Sequence, residues 1–113
     1  FAVFVAFDAG NLRPVAELLR ALYPASPLLV CADDDWQTKG NPGVTKATEI
    51  TKRVPYAHLI YPVFTGKRGA KDTDFNDLQA ASGLVTVARQ FQGPLAYMGR
   101  LSVRAPEVLS HAA

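Results

Sequence analysis

A single cysteine, no excess of charge of either sign and no long apolar run close several function classes to this chain of 113 residues before any motif is sought. Cys31 has no partner for an internal disulfide, which points to a reducing, cytoplasmic setting and to a small apolar role inside the core. No apolar stretch approaches the roughly 18 residues needed to span a bilayer, and the opening residues lack the basic leader and cleavage pattern of a secretory signal, so no membrane partner is expected. The net charge of +2 is too slight to indicate a nucleic-acid partner by composition alone, because such partners are met by concentrated basic patches. Also missing are Gly-x-Gly-x-x-Gly, the Gly-Lys-Ser/Thr of a Walker loop and a Ser/His/Asp arrangement, which leaves dinucleotide binding and nucleophilic hydrolysis without support. There is no internal repeat and no low-complexity segment. What is present is ordinary for a folded domain: 49% hydrophobic and 19% charged residues, in a length that admits one core and not two.

The order of elements can be read along the chain. Ala2 to Phe7 is a continuous apolar run closed by the turn cluster Asp8-Ala9-Gly10-Asn11, the pattern of a strand buried on both faces. Leu12, Val15, Ala16, Leu19, Leu22 and Tyr23 then recur at helical spacing, with Asn11 as expected N-cap and Pro24 as stop. Leu28 to Ala32 reads as a second strand, and Asn41-Pro42-Gly43 as an N-cap with proline at the first helical position. The helix it opens uses Val44, Ala47, Ile50 or Thr51, and Val54, and ends before Pro55. Tyr56 to Val63 is a third strand. After a basic loop, Asp74 and Asp77 carry capping-box spacing for a short helix that stops at Gly83, and Leu84, Val85, Ala88 and Phe91 give a further helical face. Leu95 to Met98 reads as a short edge strand and Ser102 to Ala113 as a flexible tail. The expectation is an α/β fold over residues 1–92, an open, mostly parallel sheet of about four strands with helices on both faces and right-handed crossovers, followed by the edge strand and tail of residues 93–113.

The chemistry concentrates where such sheets put it, beyond the carboxyl ends of the strands. Leu28-Leu29-Val30-Cys31-Ala32 runs directly into Asp33-Asp34-Asp35. Three adjacent anions repel one another unless solvent, hydrogen bonds or a cation offsets them, and hard oxygen ligands favour Mg²⁺ or Mn²⁺. In extended backbone Asp33 and Asp35 point to the same side, so both can serve one cation while Asp34 faces away or supports from behind. Asp72, Asp74 and Asp77 follow the third strand, so chain order brings them to the same edge, although Asp74 as an N-cap and Asp72 in a turn would equally account for their presence. Lys39, Lys46, Lys67, Arg68 and Lys71 fall in or beside the loops of that edge, where phosphates or a nucleic-acid backbone would need them; singly they also read as solvated side chains. Trp36 is placed to stack a base or to lie as a lid over the sheet edge. His58 reads as a core or edge residue of its strand, and His111 carries no role.

Taken in order, the Phe-Asp-Ala-Gly-Asn turn of Phe7 to Asn11, the Ala-Asp-Asp-Asp of Ala32 to Asp35, Asn41-Pro42-Gly43 and Asp74-Phe75-Asn76-Asp77-Leu78 resemble a TOPRIM domain. This is the metal-binding catalytic fold shared by bacterial-type primases, type IA and type II topoisomerases, OLD-family nucleases and RecR-type repair proteins. The likeness spans roughly residues 2–92 and is nearest to the primases and primase-helicases of plasmids and phages. It implies that Asp33 and Asp35 are the Asp-x-Asp metal ligands, with Asp74 and Asp77 near the metals. It implies, further, metal-dependent transfer of a nucleoside monophosphate from an NTP to an RNA primer on a single-stranded DNA template, with Asp33, Asp35 and Asp77 as the catalytic acids and a replicative helicase domain or subunit as partner. The family also carries a glutamate at the end of an earlier strand. Glu17, Glu49 and Glu107 stand at no such place, so the resemblance implies a fragment that begins after that motif and is inactive by itself. Two alternatives stay open: a TOPRIM nuclease or topoisomerase fragment using the same metals, and a non-catalytic module binding nucleic acid or protein.

Overall fold

The structure is a computed structural model that describes residues 2–6 and 8–112, with side chains described up to residue 101. Its elements are α1 (Ala9–Leu22), β1 (Leu28–Cys31), α2 (Pro42–Arg53), β2 (Ala57–Ile60), α3 (Phe75–Ser82) and α4 (Leu84–Ala112). The two strands pair in parallel, Leu28 opposite Ala57 and Cys31 opposite Ile60, and Leu28 N–H and Ala32 N–H extend the ladder to Tyr56 O and Ile60 O, both at 2.9 Å.

Side chains alternate across a strand, so the paired residues sort the sheet into two faces. Leu28, Val30, Ala57 and Leu59 meet Ala47, Ile50 and Val54 of α2, and Ala16 of α1 closes the cluster. This is the core; Ala47 and Ile50 are almost wholly withdrawn from solvent. The opposite face carries His58, whose ring meets Tyr97 of α4 edge-on with centroids 5.1 Å apart. Helices therefore lie on both faces, as expected of an α/β unit. Local signals set their ends: Asn41 caps α2 and Pro42 opens it, while Asp74 and Asp77 form the expected capping box of α3. Gly83, with φ +86°, supplies the turn between α3 and α4 that other residues rarely adopt.

Five expectations are corrected. Residues 2–6 form no strand, and Val3 is 85% and Val5 66% exposed; Phe7, the end of that run, lies outside the described residues. An unbroken apolar run has no period and specifies no register, so strand formation there rests on neighbours rather than on the run itself. The sheet of the described residues accordingly has two strands instead of about four. At the first helix it is Asp8, not Asn11, that caps, its carboxylate accepting from Asn11 N–H at 2.9 Å. Leu95 to Met98 is helical, part of the 29-residue α4; Phe91, Leu95 and Met98 continue one helical face past Gly93-Pro94 and line one groove together. Cys31, expected inside the core, is exposed. The tail expected from Ser102 to Ala113, with Glu107 and His111, lies outside the residues whose side chains are described.

Candidate functional site

The chain leaves β1 at Ala32 and meets α2 again at Asn41, and the three aspartates occupy the first step of that crossing. A backbone bond from Asp34 N–H to Thr73 O, 2.7 Å long, ties this loop to the segment that precedes α3. The two acidic groups thereby share one edge of the molecule. Their proximity is felt at Asp33, whose carboxyl pKa is raised first by partial loss of hydration, although the residue keeps solvent access, and then by the charges of Asp35, Asp74 and Asp77.

The three adjacent carboxylates have different partners. Asp34 is spoken for: Arg68 Nη1 donates to its Oδ2 at 2.9 Å and Arg68 Nη2 to its carbonyl at 3.0 Å, while Asn41 Nδ2 donates to its Oδ1 at 2.6 Å. Asp35 turns toward α2, its Oδ2 accepting from Gly43 N–H at 2.8 Å, where the helix N-terminus favours a negative charge. The carboxylate of Asp33 accepts no hydrogen bond from the described residues. Asp77 serves the backbone, its Oδ2 accepting from Thr73 N–H at 2.8 Å and Asp74 N–H at 3.2 Å; these bonds hold its pKa below the usual carboxylate range. Asp74 Oδ1 accepts in return from Asp77 N–H. Asp72 closes its own loop by accepting from Gly69 N–H at 2.7 Å.

The cations divide. Arg68 is fixed over the rings of Trp36 and Phe64, 4.7 and 4.3 Å from their centroids, with Nε donating to Asp72 O at 2.9 Å. Trp36 thus carries an arginine plane on one face and keeps 43% of its surface exposed. Lys39, Lys67 and Lys71 are exposed on the loops of this edge and form no ion pair among the described residues. Lys46 is not gathered with them; it lines a separate small hollow with Arg13 and Glu49. His58 stands in β2 on the sheet face that meets α4.

A groove of about 990 Å³ runs from the acidic edge, where Asp33, Asp35 and Asp74 line it, along β1 toward residues 2–6. Among the described residues no three acidic, histidine or cysteine side chains converge closely enough to enclose a metal ion unaided. Magnesium asks for less: it keeps several waters and is commonly held by one or two carboxylates together with substrate phosphates. Asp33, without a partner and opposed by three negative neighbours, and the second oxygen of Asp35 fit that requirement in charge and in donor type. Sequence reasoning missed the double use of Asn41, as helix cap and as bridge to the acidic loop, and the seat of Arg68 on two rings. The first was signalled by Asn-Pro-Gly so soon after the aspartates; the second had no local signal, because Trp36 and Arg68 lie far apart in the chain.

No helix among the described residues is long and apolar enough to cross a membrane. Over 67 residues the chain is 48% identical to DNA primase TraC of Escherichia coli, an alignment that takes in 56% of this chain and 6% of that protein. A second DNA primase TraC from the same organism is 39% identical over 83 residues, 70% of this chain and again 6% of the relative. The chain spans about 6% of the length of the curated relatives it matches and is homologous to that part of them. No family model matches the chain, and no solved structure matches it.

Proposed function

We propose that this chain is the metal-binding part of a TOPRIM-type primase, acting in metal-dependent nucleotidyl transfer that makes RNA primers on single-stranded DNA. The observation that carries the reading is the tie between Asp34 and Thr73, which sets Asp33 and Asp35 against the Asp74–Asp77 segment at one edge. Similarity to DNA primase TraC supports it from a separate direction.

In this reading Asp33 and Asp35 hold Mg²⁺ or Mn²⁺. When bound, such an ion supplies charge stabilisation at the phosphates and orientation of an attacking 3′-hydroxyl. The residues of the chain do the rest. Asp74 and Asp77 deepen the negative potential that draws a cation to Asp33, and Asp77 also stiffens the start of α3. Lys39, Lys67 and Lys71 meet the phosphates of an NTP or of the template strand, with a salt dependence that follows from charge neutralisation. The wider sheet of TOPRIM domains belongs to the proposal too, with the free edge of β1 as the place where a further strand pairs. So do a replicative helicase partner and a cytoplasmic setting.

A second reading, a binding module without catalysis, is favoured by the acids that are present: Glu17 is paired with Arg13 on α1 at 2.8 Å, and Glu49 lines the hollow with Lys46, so neither joins Asp33. A Mn²⁺ titration of the isotopically labelled chain followed by NMR tests the metal site. Selective broadening of amides at 33–35 and 74–77 is expected, and Asp35→Asn, which keeps an acceptor for Gly43 N–H, should weaken Mn²⁺ binding by at least about tenfold without unfolding. Uniform broadening, or an unchanged affinity in the folded variant, would give the non-catalytic reading precedence.

A further inference from the structure

Three adjacent aspartates can be presented in several ways, and something must decide which carboxylates face the shared edge. We infer that Asn41 is the positioning residue that makes this choice; the inference rests on the metal-site reading above. Its half-buried amide is used at both ends. Oδ1 accepts from Asp35 N–H at 2.8 Å and from Val44 N–H at 3.4 Å, while Nδ2 donates to Asp34 Oδ1 at 2.6 Å. One planar group therefore links the acidic loop to the first turn of α2 and turns the middle carboxylate aside, into the reach of Arg68 at 2.9 Å.

The backbone at Asn41 is left-handed, φ 41° and ψ 72°, a region that asparagine tolerates better than most residues. That conformation lets one residue cap α2 and still reach back to Asp34 and Asp35. The bond to Asp34 requires a donor. An aspartate, equal in shape and equal as a cap, would set a carboxylate against a carboxylate at the same spot. Capping alone does not call for an amide here; the bond to Asp34 does.

The test separates aiming from stability. In Asn41→Gly the backbone keeps its conformation without strain and glycine is tolerated as a cap, so the variant should stay folded, with a thermal midpoint lowered only by the loss of the bonds to Asp34 and Asp35. Mn²⁺ affinity, measured as free Mn²⁺ by electron paramagnetic resonance, should fall about tenfold, in the range found when a group supporting a metal ligand is removed. Asn41→Asp should lose at least as much. The reciprocal pair Asn41→Asp with Asp34→Asn should recover affinity to within about threefold of the unaltered chain, because the amide then at position 34 donates to the carboxylate at position 41 and still offers its oxygen to Arg68.

A folded Asn41→Gly chain with unchanged Mn²⁺ affinity and the same amides broadened would overturn the inference while leaving the metal site standing. So would a reciprocal pair that folds and fails to recover. If the unaltered chain binds no Mn²⁺, the metal reading fails and this inference falls with it.

Discussion

Gly43 shows how tightly the acidic loop is laid against α2. A Cβ at this position would collide with the carbonyl oxygen of Asp33 and come within 2.9 Å of Asp35 Oδ2. Gly43→Ala must displace backbone rather than the free end of a side chain, so it should destabilise the chain by about 1–3 kcal/mol, read as a lower urea midpoint. The same variant should loosen Mn²⁺ binding, because the strand end that carries Asp33 is what moves. At this scale the sequence was informative about identities and silent about roles. Asp33 and Asp35 can be picked out from a buried run that ends in acids, and Asn41 as a cap from the proline that follows it. That Asp34 is matched to Arg68 depends on a contact across 34 positions, which no local pattern encodes.

At the scale of elements, α3 is the clearest case of a helix fixed by its ends, because the reciprocal Asp74 and Asp77 bonds pin its first turn to the site. Asp74→Ala should cost about 0.5–2 kcal/mol by chemical denaturation. The pH dependence follows from the direction at Asp77. Its folded pKa lies below the ordinary 3.8, so its contribution is complete above the usual carboxylate range and is lost as pH falls below about 3.8 through the folded value. Asp33 acts with the opposite sign: its raised pKa means that ionisation is disfavoured in the fold, a cost that appears as pH rises through the carboxylate range and is relieved by acid. Urea midpoints measured between about pH 2 and 6 should show the acid-side loss shrink in Asp77→Asn. Helix ends of this kind are legible because caps and prolines act over four residues. Residues 2–6 and Leu95 to Met98 were misread as strands because a bare apolar run carries no register, and because the helical face of Phe91, Leu95 and Met98 keeps its period past the proline.

For the molecule as a whole, the hydrophobic cluster joins the two-stranded sheet to α2, with Ile50 1% exposed, while Leu78 of α3 is buried on its own account. Ile50→Ala should cost about 2–5 kcal/mol, and loss of helix and tertiary signals should coincide in thermal unfolding, since one core has no second unit to fall back on. The chain has a single tryptophan, and it lies on the acidic loop beneath the guanidinium of Arg68. Indole emission from this protein is therefore a private optical channel to the candidate site, with no background from the rest of the fold. An anion that drew Arg68 away would uncover the ring and change its colour and brightness, so any binding at this edge that moves Arg68 could be timed in the millisecond range without an attached dye.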